Sequence, residues 1–163
     1  MAANKSYAYV GLAGETAPGR TVKSGLYRLA EGDTEWELKG SGLPEAPAIR
    51  ALAIHPQKPE IVYAGTQDGP YRSTDHGEHW EKVNVPDHGQ PVWSLLYSPR
   101  DSNVMYAGYE ACEIYRSEDG GENWQMYWIM KWVRKMDDEE DAKKETLEAE
   151  ASAHAQEGPP TDA

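Results

Sequence analysis

Ser73-Thr74-Asp75-His76-Gly77-Glu78-His79-Trp80 and Ser117-Glu118-Asp119-Gly120-Gly121-Glu122-Asn123-Trp124 carry one pattern, S-x-D-x-G-x-x-W, repeated 44 residues apart. The pattern has a local physical meaning. A serine hydroxyl and an aspartate carboxylate can both accept backbone N–H groups inside a tight turn, and the glycine supplies a positive φ. The tryptophan then packs its ring beside the hairpin that the turn closes. Ser73, Asp75, Gly77, Trp80, Ser117, Asp119, Gly121 and Trp124 are therefore read as residues that build the fold rather than as chemical groups.

Outward from the two octets the same spacing recurs. Tyr27, Tyr71 and Tyr115 are 44 residues apart, and so are Trp36, Trp80 and Trp124. Tyr63-Ala64-Gly65 matches Tyr106-Ala107-Gly108, and Pro56 matches Pro99. Each complete unit divides into four short strands, a to d, separated by turn residues such as Gln67-Asp68-Gly69. In the first complete unit these are Ile49–Ile54, Glu60–Thr66, Pro70–Thr74 and His79–Val85. In the second they are Val92–Tyr97, Asn103–Tyr109, Ile114–Glu118 and Asn123–Trp128. A period in the forties with four strands per unit is the signature of a β-propeller blade. Ser6–Leu12, Gly25–Ala30 and Glu35–Leu38 form an earlier unit that lacks strand a and has a long b–c connection, Ala13–Ser24. The expected fold is all-β: about two and three-quarter propeller blades of four antiparallel strands. The segment spans 1–133, with a partial blade at 6–38, blades at 49–85 and 92–128, and an acidic tail at 134–163.

The two octets, in register and each preceded by a Tyr-Ala-Gly strand, resemble the Asp-box of BNR-repeat propellers. That group includes sialidases, sortilin-type receptors, xyloglucanase-type glycoside hydrolases and photosystem II assembly factors. The resemblance covers residues 6–128. The first unit departs from it, with Leu29, Glu31 and Asp33 where Ser, Asp and Gly belong, although Trp36 is kept.

Strands in a blade alternate direction, so c–d and a–b turns share one face and b–c and d–a connections share the other. By resemblance, ligands of these families bind on the second face and around the channel. Here that face carries Gln67, Asp68, Tyr109, Glu110 and Cys112 from b–c loops and Asp87 to Gln90 from a d–a loop. Arg50 and Trp93 stand at equivalent positions at the start of strand a. A Trp face and an Arg fork suit sugars, carboxylates or peptides. The candidate binding residues are thus Arg50, Gln67, Asp68, Trp93, Tyr109 and Glu110.

The chemistry of catalysis is thin. Of the body's arginines, Arg28, Arg72 and Arg116 are the repeat's own Tyr-Arg positions and read as architectural, and the Arg-Ile-Pro segment of the sialidases is not found. A glycoside hydrolase needs two carboxylates across the scissile bond. Asp68 and Glu110, on neighbouring blades, are the candidate pair. His76 and His79 belong to the Asp-box turn while His88 belongs to the other face, so no three ligands converge for a metal, and no cofactor is implied. The leading expectation is a non-catalytic binding or assembly module, with a glycoside hydrolase-like enzyme as the alternative.

Composition narrows the partners. The chain has 163 residues, 39% hydrophobic, with six Trp, ten Tyr and no Phe. The net charge is −12, of which −8 falls in residues 137–162. A near-balanced body with an acidic tail argues against nucleic acid and anionic membranes, which repel it. The tail reads as an exposed helix or as disorder. Cys112 is the lone cysteine, by default a buried or half-buried thiol, although its place at the single inserted residue of the second unit suits a loop tip. No signal pattern precedes the first strand, so a cytoplasmic location is expected. Closed propellers use about 4–8 blades. A shorter arc leaves apolar faces at both ends, so self-association is expected, as a dimer closing a six-bladed ring or within a larger assembly. The apolar stretch Trp128–Val133 reads either as an extra strand that covers the partner's incomplete first blade or as the start of a helix that continues into the acidic stretch.

Overall fold

The computed structural model describes residues 5–14, 16–17, 20–21, 24–86, 89–110, 112–127 and 143–144. The chain divides into two compact units, Met1–Tyr127 and Trp128–Ala163. The sheets lie in the first. The readings of Trp128–Val133 as an extra strand and of the acidic tail fall outside the described residues.

Three antiparallel sheets follow one another along the chain. The first contains β1 (Tyr7–Leu12), β4 (Gly25–Ala30) and β5 (Glu37–Leu38) in the order β1-β4-β5. The second orders β6 (Ala51–Ile54), β7 (Val62–Thr66), β8 (Gly69–Ser73) and β9 (Glu81–Lys82) as a meander. The third repeats it with β10 (Val92–Tyr97), β11 (Met105–Tyr109), β12 (Ile114–Ser117) and β13 (Gln125–Met126). These are the partial blade and the two full blades, and strand a of the first blade is missing as the sequence implies. Its long b–c connection holds a feature the sequence reading did not assign, a two-residue hairpin of β2 (Thr16–Ala17) and β3 (Arg20–Thr21).

Several strands are shorter than their patterns suggest, and in two of them the reason is a hydrogen bond to the preceding blade. Strand d begins at Glu81 rather than His79, because the Trp80 N–H donates to the Ser41 carbonyl of the preceding blade's loop, 2.9 Å away, instead of joining the ladder. Strand a begins at Ala51 rather than Ile49, because the Ile49 N–H donates to Leu12 at the end of β1.

The core sits between the sheets. One cluster joins Leu26 of the first blade to Val62, Ala64, Tyr71 and Trp80 of the second. The next joins Ala53 and Tyr63 of the second to Val92, Met105, Ala107, Tyr115 and Trp124 of the third. The middle sheet is therefore buried on both faces, as blades of a propeller are, while the first and third are each covered on one face by it. The Tyr-x-Gly of strand b serves this packing: a Cβ on Gly65 would lie 2.9 Å from Val92 Cγ1, and one on Gly11 would lie 2.3 Å from Ile49 Cγ2.

Candidate binding face

The Asp-box turns fix which end of each blade is free to bind. In the first, the Ser73 hydroxyl donates to Asp75 Oδ1 at 2.8 Å and accepts the N–H groups of Asp75 and Gly77 at 3.2 and 2.8 Å. Asp75 in turn accepts the His79 N–H at 3.0 Å and meets the His79 ring Nδ1 at 2.7 Å. The Trp80 indole N–H closes the loop on the Gly77 carbonyl at 3.1 Å. Ser117, Asp119, Gly121, Asn123 and Trp124 repeat every one of these contacts, with Asn123 Nδ2 donating to Asp119 Oδ2 at 2.7 Å in the place of the histidine. Burial opposes ionisation of Asp75, but the donors from His79 and Ser73 outweigh it and bring the carboxyl down to about 2. Asp119 also falls to about 2, held first by the Asn123 N–H, then by the Asn123 side chain and Ser117. These groups are occupied by the turn itself. The position of His79 and Asn123 as the Asp's return partner is visible in sequence only as a hydrogen-bonding residue four places after the aspartate.

The turns also touch the a–b connections: the His76 N–H donates to the Glu60 carbonyl, and that of Gly120 to Asn103. The b–c and d–a connections therefore make the opposite end. There the structure brings Arg50 and Trp93 together across two blades, with the Arg50 guanidinium over the Trp93 ring at 4.8 Å. Trp93 reaches out because the β10–β11 register slips between Val92 and Ser94, leaving Trp93 as the extra residue of a β-bulge, 53% exposed. Sequence alternation cannot show such a bulge. Arg50 Nη1 is buried with no hydrogen-bond partner among the described residues.

The other candidates spread around this pair. Gln67 Oε1 accepts the Ala48 N–H at 2.7 Å, tying the b–c turn to the entry of strand a. Asp68 is held in its own turn, its N–H on Thr66 Oγ1 at 3.0 Å and its Oδ2 facing Gln67 Nε2 at 3.5 Å. Beside it, Asp68, Pro70, Lys82, Asn84 and Gly89 line a cleft of about 240 Å³. Glu110 follows β11, with its N–H on the Pro91 carbonyl at 3.1 Å. Tyr109 ends its strand as the pattern implies, but it turns inward rather than onto the loop face. It is the last residue of β11, and its ring is buried edge-on to Tyr115. Cys112 is exposed, not half-buried, and has a φ of 58°, at a loop tip. Asp87 and His88 lie outside the described residues.

No protein-family model matches the chain. It is 30% identical over 81 residues to vacuolar protein sorting/targeting protein 10 of Chaetomium globosum, a match covering 49% of this chain and 5% of that protein. Among solved structures it is similar to an ancestral GH74 enzyme, with a TM-score of 0.54 and 19% identity over 63% of this chain and 15% of that one. It is also similar to YCF48 bound to a D1 peptide, with a TM-score of 0.51 and 18% identity over 64% of this chain and 33% of that one. The chain spans only a small part of each protein it matches. With the repeat period, the two locked turns and the stacked sheets, these likenesses make the chain a short arc of β-propeller blades, with turns that resemble the Asp-box of BNR repeats.

Proposed function

We propose that the chain is a non-catalytic binding and assembly module, which takes a protein segment on its b–c and d–a loop face and joins further blades, most simply those of a second copy, to close a ring. The observation that carries the reading is the Arg50–Trp93 pair. A buried, unmatched guanidinium nitrogen beside an exposed indole offers a charge-assisted donor and an apolar platform at one spot. A peptide carboxylate, terminal or from an acidic side chain, supplies the matching acceptor, and its neighbouring residue can lie on the indole. A peptide on a similar fold, in YCF48 with its D1 peptide, supports a protein partner over a glycan.

Labelled peptides ending in a free α-carboxylate test this directly by fluorescence anisotropy. The expected result is saturable binding that weakens at least tenfold, about 1.4 kcal/mol, in Arg50→Ala or Trp93→Ala and on amidation of the peptide. Binding that ignores all three changes would reject the site. The glycoside hydrolase reading, with Asp68 and Glu110 as its carboxylates, makes a different forecast: reducing ends released from xyloglucan and lost in Asp68→Asn.

A further inference from the structure

The same inter-blade joint is built twice within the chain, and each end of the chain presents one half of it. In the first joint, Tyr9 Oη donates to the His76 carbonyl at 3.1 Å, and Arg28 Nη1 donates to the same oxygen at 2.9 Å. Arg28 Nη2 also reaches Glu78 Oε1 at 2.7 Å. In the second joint, Tyr63 Oη donates to the Gly120 carbonyl at 3.0 Å, and Arg72 pairs with Glu122. His76 and Gly120 are the fourth residues of their Asp-boxes, and Glu78 and Glu122 the sixth. A tyrosine from strand b and an arginine from strand c of one blade thus grip the Asp-box turn of the next.

The strand registers place the same row on the third blade. Tyr9 pairs with Arg28, Tyr63 with Arg72 and Tyr106 with Arg116. Arg116 carries its proton more firmly than usual, held first by a hydrogen bond with Tyr106 and then by Glu118, two residues along its own strand end. The carboxylate of a following blade's box is replaced by one from Arg116's own blade. Beside this row, Leu96 is 47% exposed, whereas Ala53, which pairs with Tyr63 as Leu96 does with Tyr106, is 8% exposed beneath the next blade.

The first blade offers the complementary half. Trp36 is 45% exposed, whereas Trp80 and Trp124 are 3% and 4% exposed against their preceding blades. Val10 is 39% exposed where its equivalents Ala64 and Ala107 are fully buried. The turn before Trp36 reads Glu31-Gly32-Asp33-Thr34-Glu35, with Gly32 at the position whose carbonyl is gripped in the other two joints. Thr34 replaces the sixth-position glutamate, but Glu31 and Glu35 remain as acids, while Asp33 pairs with Lys5.

We propose that the exposed face of the third blade is a socket for the first blade of a second copy of this chain. Tyr106 and Arg116 are its donors, and the Glu31–Glu35 turn and Trp36 of that copy are its insert. The proposal rests on reading the chain as an open arc that completes a ring. It names a second copy because the two end faces match each other in the pattern of both internal joints and in charge, cation against acid. The contact is head-to-tail, so two copies placed in this way can close on each other.

Light scattering on the full chain after size exclusion, across a range of concentrations, tests it. The expected mass is twice the 18.2 kDa of one chain. Arg116→Glu, and separately the pair Glu31→Lys and Glu35→Lys, should weaken association at least tenfold. Combining all three substitutions should restore it, and that rescue distinguishes a broken socket from a misfolded variant. A wild-type monomer at every concentration would overturn the proposal, as would an oligomer that neither set of substitutions affects. The peptide titration of Arg50→Ala reads the loop face independently, so either proposal can fail without the other.

Discussion

Ser117 shows how much of the repeat depends on single side chains. Its hydroxyl is buried and engages Asp119 Oδ1 and the N–H groups of Asp119 and Gly121. Ser117→Ala strands those buried partners and is expected to lower stability by about 1–3 kcal/mol, read as a shift in the urea midpoint. The two box aspartates make stability depend on pH. Both titrate near 2 in the folded chain against an ordinary 3.8, so the unfolded chain binds protons first as pH falls. Their contribution is complete above about pH 5 and is lost as pH drops through 4 towards 2. Urea midpoints at pH 6, 4 and 2.5 should fall in that order, and the double variant Asp75→Asn, Asp119→Asn should flatten the fall. These residues were legible in the sequence because an Asp-box uses only contacts within eight residues. The inward turn of Tyr109 and the exposure of Cys112 were not, because they depend on the path the chain takes out of β11, which the residue pattern does not give. Tyr109 meets Tyr115 across its own sheet, while Cys112 takes a left-handed turn conformation into solvent.

At the scale of elements, period-2 alternation and turn residues located every main strand, but their ends depend on long-range hydrogen bonds. The loss of two ladder residues at the start of strand d follows from the Trp80 N–H bonding to Ser41, 39 positions away, which no local pattern encodes. The bulge at Trp93 is similar: it slides one residue out of register and turns an apparent strand residue into an exposed aromatic on the candidate face. The Arg50–Trp93 stack could thus be guessed as two equivalent positions, but not as a contact. The joint between elements is tight enough to test. Gly121 has a φ of 96°, and a Cβ there would lie 2.2 Å from the Tyr63 hydroxyl. Gly121→Ala is therefore expected to cost more than about 2 kcal/mol, from backbone strain and a displaced tyrosine together. Thermal unfolding reports the loss, and an unchanged midpoint would mean the joint is looser than drawn.

For the whole molecule, the repeat gives an internal comparison. Trp80 and Trp36 hold the same place in successive blades, one inside a joint and one at an open end. Trp80→Ala should cost about 3–5 kcal/mol of unfolding free energy, the loss typical of a buried aromatic. Trp36→Ala should leave the unfolding of the dilute chain nearly unchanged and weaken only its association. Equal losses would show that Trp36 is already buried by its own chain. The expectation of further blades comes from the repeat count, since closed propellers use about 4–8 of them. The socket proposed at Tyr106 and Arg116 could not be read there, because it follows only from Tyr9 and Arg28, and Tyr63 and Arg72, gripping the next turn. A crystal structure of the intact chain tests the central claim most directly. The account predicts two copies forming six sheets around one channel, with Trp36 of each copy packed beside Tyr106 and Arg116 of the other. A single copy whose first and third blades are both covered by its own residues would contradict it.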